Sequence, residues 1–276
     1  MIEILKAVVY GIIEGITEWL PVSSTGHMIL AEQVIRFELS DAFMEMFRVV
    51  IQLGAILAVV VLFWGRLWPF GRDEQGRVCA KASVWRLWFK ILVASIPAGL
   101  CILIDDWIDA HFYNYLTVAC MLILYGVLFI LVENRRITPT VTRVSQIGWR
   151  DAFIIGVWQM LAVIPGTSRS GATIVGGLLL GLARPAIAEF TFFLAIPAMV
   201  GASGYKMLKF FKAGNVFTGQ EALVLLVGCA VAFGVSMVSI RFLMNYVKKH
   251  DFKSFGVYRI ALGLVVLAVA GVTALR

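Results

Sequence analysis

The sequence predicts an all-α integral membrane protein, a helical bundle of about six full spans plus two re-entrant helical hairpins arranged as an inverted repeat. Three observations carry that expectation. Of 276 residues, 61% are hydrophobic and 15% charged, a balance foreign to soluble domains. Several apolar runs approach the roughly 20 residues a helix needs to cross the hydrocarbon. None shows the two-residue alternation over about ten residues that a spanning strand needs, which argues against a barrel. The net charge of +7 raises nucleic acid as a partner. The basic residues fall between apolar runs, however, as positive-inside topology requires, so no nucleic-acid partner is expected.

Taken in order, Ile4 to Leu20 reads as a helix ended by Pro21, and the charges Glu3, Lys6, Glu14 and Glu18 within it are unlike a cleavable signal peptide. After a polar turn, the apolar pattern of Met28 to Ile35 covers only about 12 Å at 1.5 Å per residue, against a core of roughly 30 Å. A broken hairpin is expected there, buried in protein or lining a wet cavity. Full spans are then predicted over Phe43 to Trp64, Trp85 to Ile104 and Tyr115 to Val132. Arg66, Arg72, Arg77, Lys81 and Arg86 place the first intervening loop in the cytoplasm, and Asp105, Asp106 and Asp109 place the next outside. Those aspartates, with His111 and His250, read as ordinary loop residues.

The order then restarts. Asp151 to Ile164 is a short apolar helix stopped by Pro165, followed by a polar turn and the short run Ile174 to Leu182. Spans follow over Ile187 to Leu208, Ala222 to Met244 and Phe255 to Ala274. A shift of 145 residues pairs Gly11 with Gly156, Glu14 with Gln159, Ser23 with Ser168, Thr25 with Ser170 and Gly26 with Gly171. With an odd number of spans per half, the repeat is inverted and one hairpin enters from each side. The expectation is one membrane domain over residues 1–276, with repeats at approximately 1–135 and 145–276. One feature conflicts: the loop with Lys206, Lys209 and Lys212 falls outside, against the charge rule. Cys101, Cys120 and Cys229 read as small buried hydrophobes and Cys79 as a loop thiol, with no metal-ligand spacing.

The chemistry gathers in two polar stretches, Glu14 to His27 and Pro165 to Thr173, set in apolar surroundings where polar groups are expensive. Glu14 and Glu18 share one helix face a turn apart, and repelling carboxylates in low dielectric need a cation or a shared proton. Oxygen-only ligands completed by phosphate suit Mg²⁺ or Ca²⁺. Ser23, Ser24 and Thr25 stand before a short helix whose N-terminus favours an anion, although hydroxyls serve equally as caps. His27, one turn from Ser24, has the reach of a general base. Arg169, flanked by Ser168 and Ser170 with Thr173 beyond, offers a guanidinium and hydroxyls as a phosphate cradle. Phosphoryl chemistry on an amphiphile accounts for these parts together.

These two stretches, together with Val49 to Leu57, Glu189 to Pro197 and Tyr258 to Gly263, make the chain resemble the bacterial undecaprenyl-diphosphate phosphatases linked to bacitracin resistance. Arg48 departs from the family, which often has an acidic residue there. The resemblance implies removal of the terminal phosphate of undecaprenyl diphosphate, recycling the lipid carrier of peptidoglycan synthesis. It implies Glu14 and Glu18 for a divalent cation and the attacking group, Ser24 as nucleophile and His27 as its acid/base partner. Arg169 would clamp phosphate with Ser168, Ser170 and Thr173. It further implies the bacterial inner membrane, a site opening to the periplasmic or outer face, and a homodimer. The competing class is a secondary transporter or flippase of polyprenyl phosphate, which shares inverted repeats and broken helices. His27 beside the serines separates the two, since binding phosphate needs no base.

Overall fold

The computed structural model describes residues 1–274, apart from the side chains of residues 102, 103, 105, 106, 109, 273 and 274. It is almost entirely helical. The first hairpin is α1 (Ile2–Thr17) and α2 (Ser24–Val34), and each arm is shorter than a spanning helix. Next come α3 (Asp41–Val50), α4 (Gln52–Leu62) and the single turn α5 (Trp64–Leu67). Strands β1 (Phe70–Arg72) and β2 (Val78–Ala80) pair antiparallel in a segment expected to be loop. Asp73 makes that turn, its carboxylate accepting from the amides of Gln75 and Arg77 at 2.9 Å each. These bonds stabilise the charged form and hold the carboxyl below its usual range.

Helix α6 (Ala82–Leu100) runs through a 3-10 turn into α7 (Asp105–Phe112), so the expected outer loop is helical. The side chains of Asp105, Asp106 and Asp109 lie outside the described residues. After α8 (Tyr115–Asn134) comes the second hairpin, α9 (Trp149–Met160) and α10 (Arg169–Leu179). The long helices α11 (Arg184–Lys212), α12 (Gly219–Tyr246) and α13 (Lys253–Ala274) complete the chain.

Five segments are long and apolar enough to cross a membrane among the described residues: Asp41–Leu62, Tyr115–Asn134, Arg184–Lys212, Gly219–Tyr246 and Lys253–Val272. The sixth expected span, α6, is not one of them; Arg86 and Lys90 lower the apolarity of its first half. The span expected over Phe43 to Trp64 is broken at Ile51. The carbonyls left out of the helical ladder find other donors. Ser203 Oγ donates to Val49 O at 3.2 Å and Cys229 Sγ reaches Val50 O at 3.7 Å. The break sets Gln52 at the head of α4, facing the interior cavities described below. Of the cysteines, Cys120 is exposed rather than buried.

Helix pairing organises the bundle. α1 packs along α12, α9 along α6, and α8 along α13, while α2 and α10 both rest on α8. Glycines allow the close crossings: a Cβ at Gly11 would stand 2.8 Å from Gly228 O, and one at Gly156 only 2.2 Å from Ala94 O. Away from the hairpin tips, buried carboxylates paired with exposed arginines tie the bundle. Glu133 receives both Arg184 Nη2, at 2.5 Å, and the Phe252 amide, at 3.0 Å. Glu189 pairs with Arg66.

Candidate active site

Both hairpins turn on a serine in an unusual backbone conformation. Ser23 has φ 73° and Ser168 φ 68°, a left-handed region that non-glycine residues seldom occupy. Each is the N-cap of the returning helix. Ser23 Oγ accepts from Gly26 N at 3.4 Å, and Ser168 Oγ from Gly171 N at 3.2 Å. A glycine would relieve the backbone but lose the cap. Strain retained in both turns points to geometry maintained for function.

The tips meet. Arg169 Nη2 donates to Glu18 Oε1 at 3.0 Å, and Nη1 donates to Thr191 O at 3.0 Å. The second oxygen of Glu18 accepts from Ser24 Oγ at 3.1 Å, and its carbonyl accepts from Ser170 Oγ at 3.3 Å. One carboxylate therefore joins the candidate nucleophile of the first hairpin to the arginine of the second. Glu18 is 8% exposed, so this pair stands largely out of bulk solvent.

A cleft of about 270 Å³ opens on this junction, lined by Glu18, Ser24, Thr25, Gln52, Ser168 and Arg169 on its polar side. Ala98, Val163, Ala198 and Met199 line its apolar side. A second cavity, about 700 Å³, meets the first at Ser24, Thr25 and Gln52 and is lined beyond them by Glu14 and a group of charged side chains.

Not every expected residue reaches these surfaces. Ser23, Ser170 and Thr173, expected to hold phosphate, are each at most 1% exposed and line neither cavity. They are corrected to supporting positions. Ser23 caps α2, and Ser170 bonds the Glu18 carbonyl. Thr173 Oγ1 lies 2.9 Å from the hydroxyl of Thr191, the residue whose carbonyl anchors Arg169. The expected Ser24–His27 pair is also absent. His27 Nδ1 lies 2.7 Å from Ser23 O, a carbonyl that can only accept, so Nδ1 carries the proton of the neutral ring. Nε2 is then the acceptor for the Tyr258 hydroxyl at 2.7 Å, and the two rings stack 9° from parallel. With both nitrogens engaged, His27 braces the turn preceding Ser24 instead of touching its hydroxyl.

Sequence reasoning assigned no role to Arg259, although it lies within a quoted motif. It is fully buried, with no carboxylate partner among the described residues. Nη1 donates to Pro21 O at 3.2 Å, and Nη2 to Gly166 O at 2.8 Å and Thr167 O at 2.9 Å. These carbonyls belong to both turns, so one guanidinium fastens the two tips together. The face of Tyr125, 5.5 Å away, provides further compensation. A buried arginine in an apolar run was the available signal. Gln52 carried the same kind of signal.

Among the described residues, no group of three or more His, Cys, Asp or Glu gathers as a metal site. The donors that are present still suit a hard cation. Glu14 Oε1 is buried without a hydrogen-bond partner, as are both amide atoms of Gln159, its counterpart in the other hairpin. Carboxylate, amide and hydroxyl oxygens completed by substrate phosphate are the environment Mg²⁺ or Ca²⁺ accepts.

The helices and the paired hairpin tips define a multi-pass membrane protein with a hydroxyl-rich cleft in which an arginine bonds the carboxylate of the facing hairpin. The chain belongs to the bacitracin resistance protein BacA family, which it matches over residues 7–265. It is 55% identical over 274 residues to the undecaprenyl-diphosphatase of Enterococcus faecalis, covering 98% of each chain. To that of Desulfitobacterium hafniense it is 59% identical, over 97% of this chain and 96% of the relative. The corresponding Streptococcus pneumoniae protein is 54% identical over the same shares.

Proposed function

We propose that this chain is an undecaprenyl-diphosphatase, a membrane hydrolase that converts undecaprenyl diphosphate to undecaprenyl phosphate and orthophosphate and so recycles the lipid carrier of cell-wall synthesis. The observation that carries the reading is Glu18 bonded at once to Ser24 and Arg169 beside a cleft with one polar and one apolar side. An amphiphile with an anionic head matches that cleft. The family membership and the relatives' activity support the same substrate.

In this account the terminal phosphate lies between Arg169, Ser168 and Thr25. Glu18 takes the proton of Ser24 as Oγ attacks the terminal phosphorus. The anhydride P–O bond breaks, and the bridging oxygen leaves with the lipid monophosphate. Water then cleaves the phosphoserine, its oxygen and both hydrogens leaving on orthophosphate, while Glu18 returns its proton to Ser24 Oγ. His27 and Tyr258 hold the turn that presents Ser24, and Arg259 holds the two turns in register. Glu14 and Glu18 would hold a divalent cation, which supplies charge neutralisation for the phosphate oxygens.

The inverted-repeat origin of the two hairpins belongs to the same proposal. It is supported by the matched strained serines at Ser23 and Ser168 and by the matched pairings of α1 with α12 and α9 with α6. So do the inner-membrane location, an outward-opening site and a homodimer. The broken hairpins also suit a lipid-phosphate transporter. Purified protein should release phosphate from undecaprenyl diphosphate and stop when chelated. Movement of lipid phosphate across liposomes without phosphate release would establish the transporter instead.

A further inference from the structure

The larger cavity has a charge pattern that lipid binding does not require. Beyond Ser24, Thr25 and Gln52 its wall carries Arg48, Lys206 and Lys209 against the carboxylates Glu14 and Glu45. Lys206 lies well inside α11 with only 8% of its side chain exposed, whereas its partner Glu45, 3.0 Å away, is 51% exposed. Lys209 approaches the same Glu45 oxygen at 3.5 Å and is 44% exposed. Arg48, 35% exposed, pairs with Glu32 of α2 at 3.0 Å. Three cations thus line this cavity, Lys206 buried and Arg48 and Lys209 partly exposed. Their position inside the cavity also accounts for lysines that conflict with the positive-inside rule. They line a partly open cavity shared with Glu45, and need not mark a cytoplasmic loop.

Hydrolysis of an amphiphilic diphosphate yields two products of opposite solubility. The lipid monophosphate can withdraw along the apolar side of the smaller cleft. Orthophosphate cannot cross that surface, and bound beside Arg169 it would block the next substrate. A second volume that reaches Ser24 is the charged cavity. We infer that this cavity is the exit route of orthophosphate, with Arg48, Lys206 and Lys209 as anion-binding stations on its wall. The inference rests on the phosphatase reading and adds a second anion site to it. A lysine held by a carboxylate partner is a suitable station, because the partner weakens the grip and lets the anion leave.

The test uses the full chain purified in zwitterionic detergent. Binding of radiolabelled orthophosphate is measured without lipid substrate, and inhibition by orthophosphate is measured during turnover. Lys206→Gln and Lys209→Glu should each weaken both about tenfold, the loss of roughly one charge-assisted hydrogen bond. Lys249→Gln, on an exposed turn away from the cavity, controls for net charge and should change neither. Lys209 is exposed enough for its variant to fold, which thermal melting verifies. Wild-type phosphate affinity in both lysine variants overturns the route. So does intact phosphate binding with an altered response to phosphatidylglycerol nanodiscs, which would assign the cations to lipid headgroups. Absent turnover by the wild type would show separately and would remove the product the route carries. Normal turnover with unchanged phosphate binding overturns the route alone.

Discussion

Glu18 and Arg169 are 151 residues apart in sequence and joined by a 3.0 Å ion pair at the meeting point of two hairpins. Because the same carboxylate accepts from Ser24, the pair would link the proposed attack and phosphate grip in a single contact. Neither hairpin contains both parts.

The two sides of Ser24 predict different mutant behaviour. Ser24→Ala removes the hydroxyl that meets Glu18 and should lower single-turnover phosphate release by at least about a thousandfold, the scale seen when an attacking group is deleted. Tyr258→Phe removes only the hydroxyl bonded to His27 Nε2 and should cost about tenfold or less. Rapid-quench kinetics on both variants checks the order. If Tyr258→Phe proved as damaging as Ser24→Ala, His27 would belong to the chemistry itself.

Arg259 is predicted to be chiefly a fastener. Arg259→Met would leave the carbonyls of Pro21, Gly166 and Thr167 without this donor and should destabilise the protein by about 3 kcal/mol or more. Arg259→Lys should rescue little, since one ammonium cannot reproduce the planar fork that reaches both turns. Thermal unfolding in detergent measures the loss.

The helix crossings offer a steric test. Gly156→Ala would place a methyl 2.2 Å from Ala94 O, backbone that cannot swing aside. A loss of about 1–3 kcal/mol is expected from the forced separation of α6 and α9. Gly11→Ala should behave alike on α1 and α12, and denaturation curves of the two variants make the comparison.

Glu14→Gln keeps shape but removes one of the two carboxylates proposed to hold the cation. Calorimetric titration with Mg²⁺ should show about tenfold weaker binding or worse. After chelation, the variant should also need correspondingly more metal to regain turnover. Unchanged metal affinity would remove Glu14 from the proposed cation site.

Much of this fold was legible in local terms. Pro21 and Pro165 marked the ends of helices too short to span, although α1 stops already at Thr17 and α9 at Met160, and the polar residues after the prolines marked the turns. Ser24, Thr25, Ser168 and Arg169 were identified on chemistry and line the cleft. What failed depended on contacts made elsewhere in the chain. The spacing of Ser24 and His27 suggested a pair, but Tyr258 on α13 and the carbonyl of Ser23 claim the imidazole. The break at Ile51 is stabilised by Ser203 and Cys229 on distant helices, which no window around Gln52 displays. The depth of Lys206 follows from Glu45 across the bundle. Arg259 received no role because a lone arginine has no local partner in sequence, and its partners here are carbonyls of two remote turns.

Glu18 and Arg169 are proposed to make the two hairpins one phosphoryl-transfer site. A double-mutant cycle measures it most directly, with single-turnover phosphate release from undecaprenyl diphosphate followed for wild type, Glu18→Gln, Arg169→Gln and the double variant. Each single change should slow release by about a hundredfold or more, and the double variant should be scarcely slower than either. Losses that multiply, or folded single variants with wild-type turnover, would contradict the shared site.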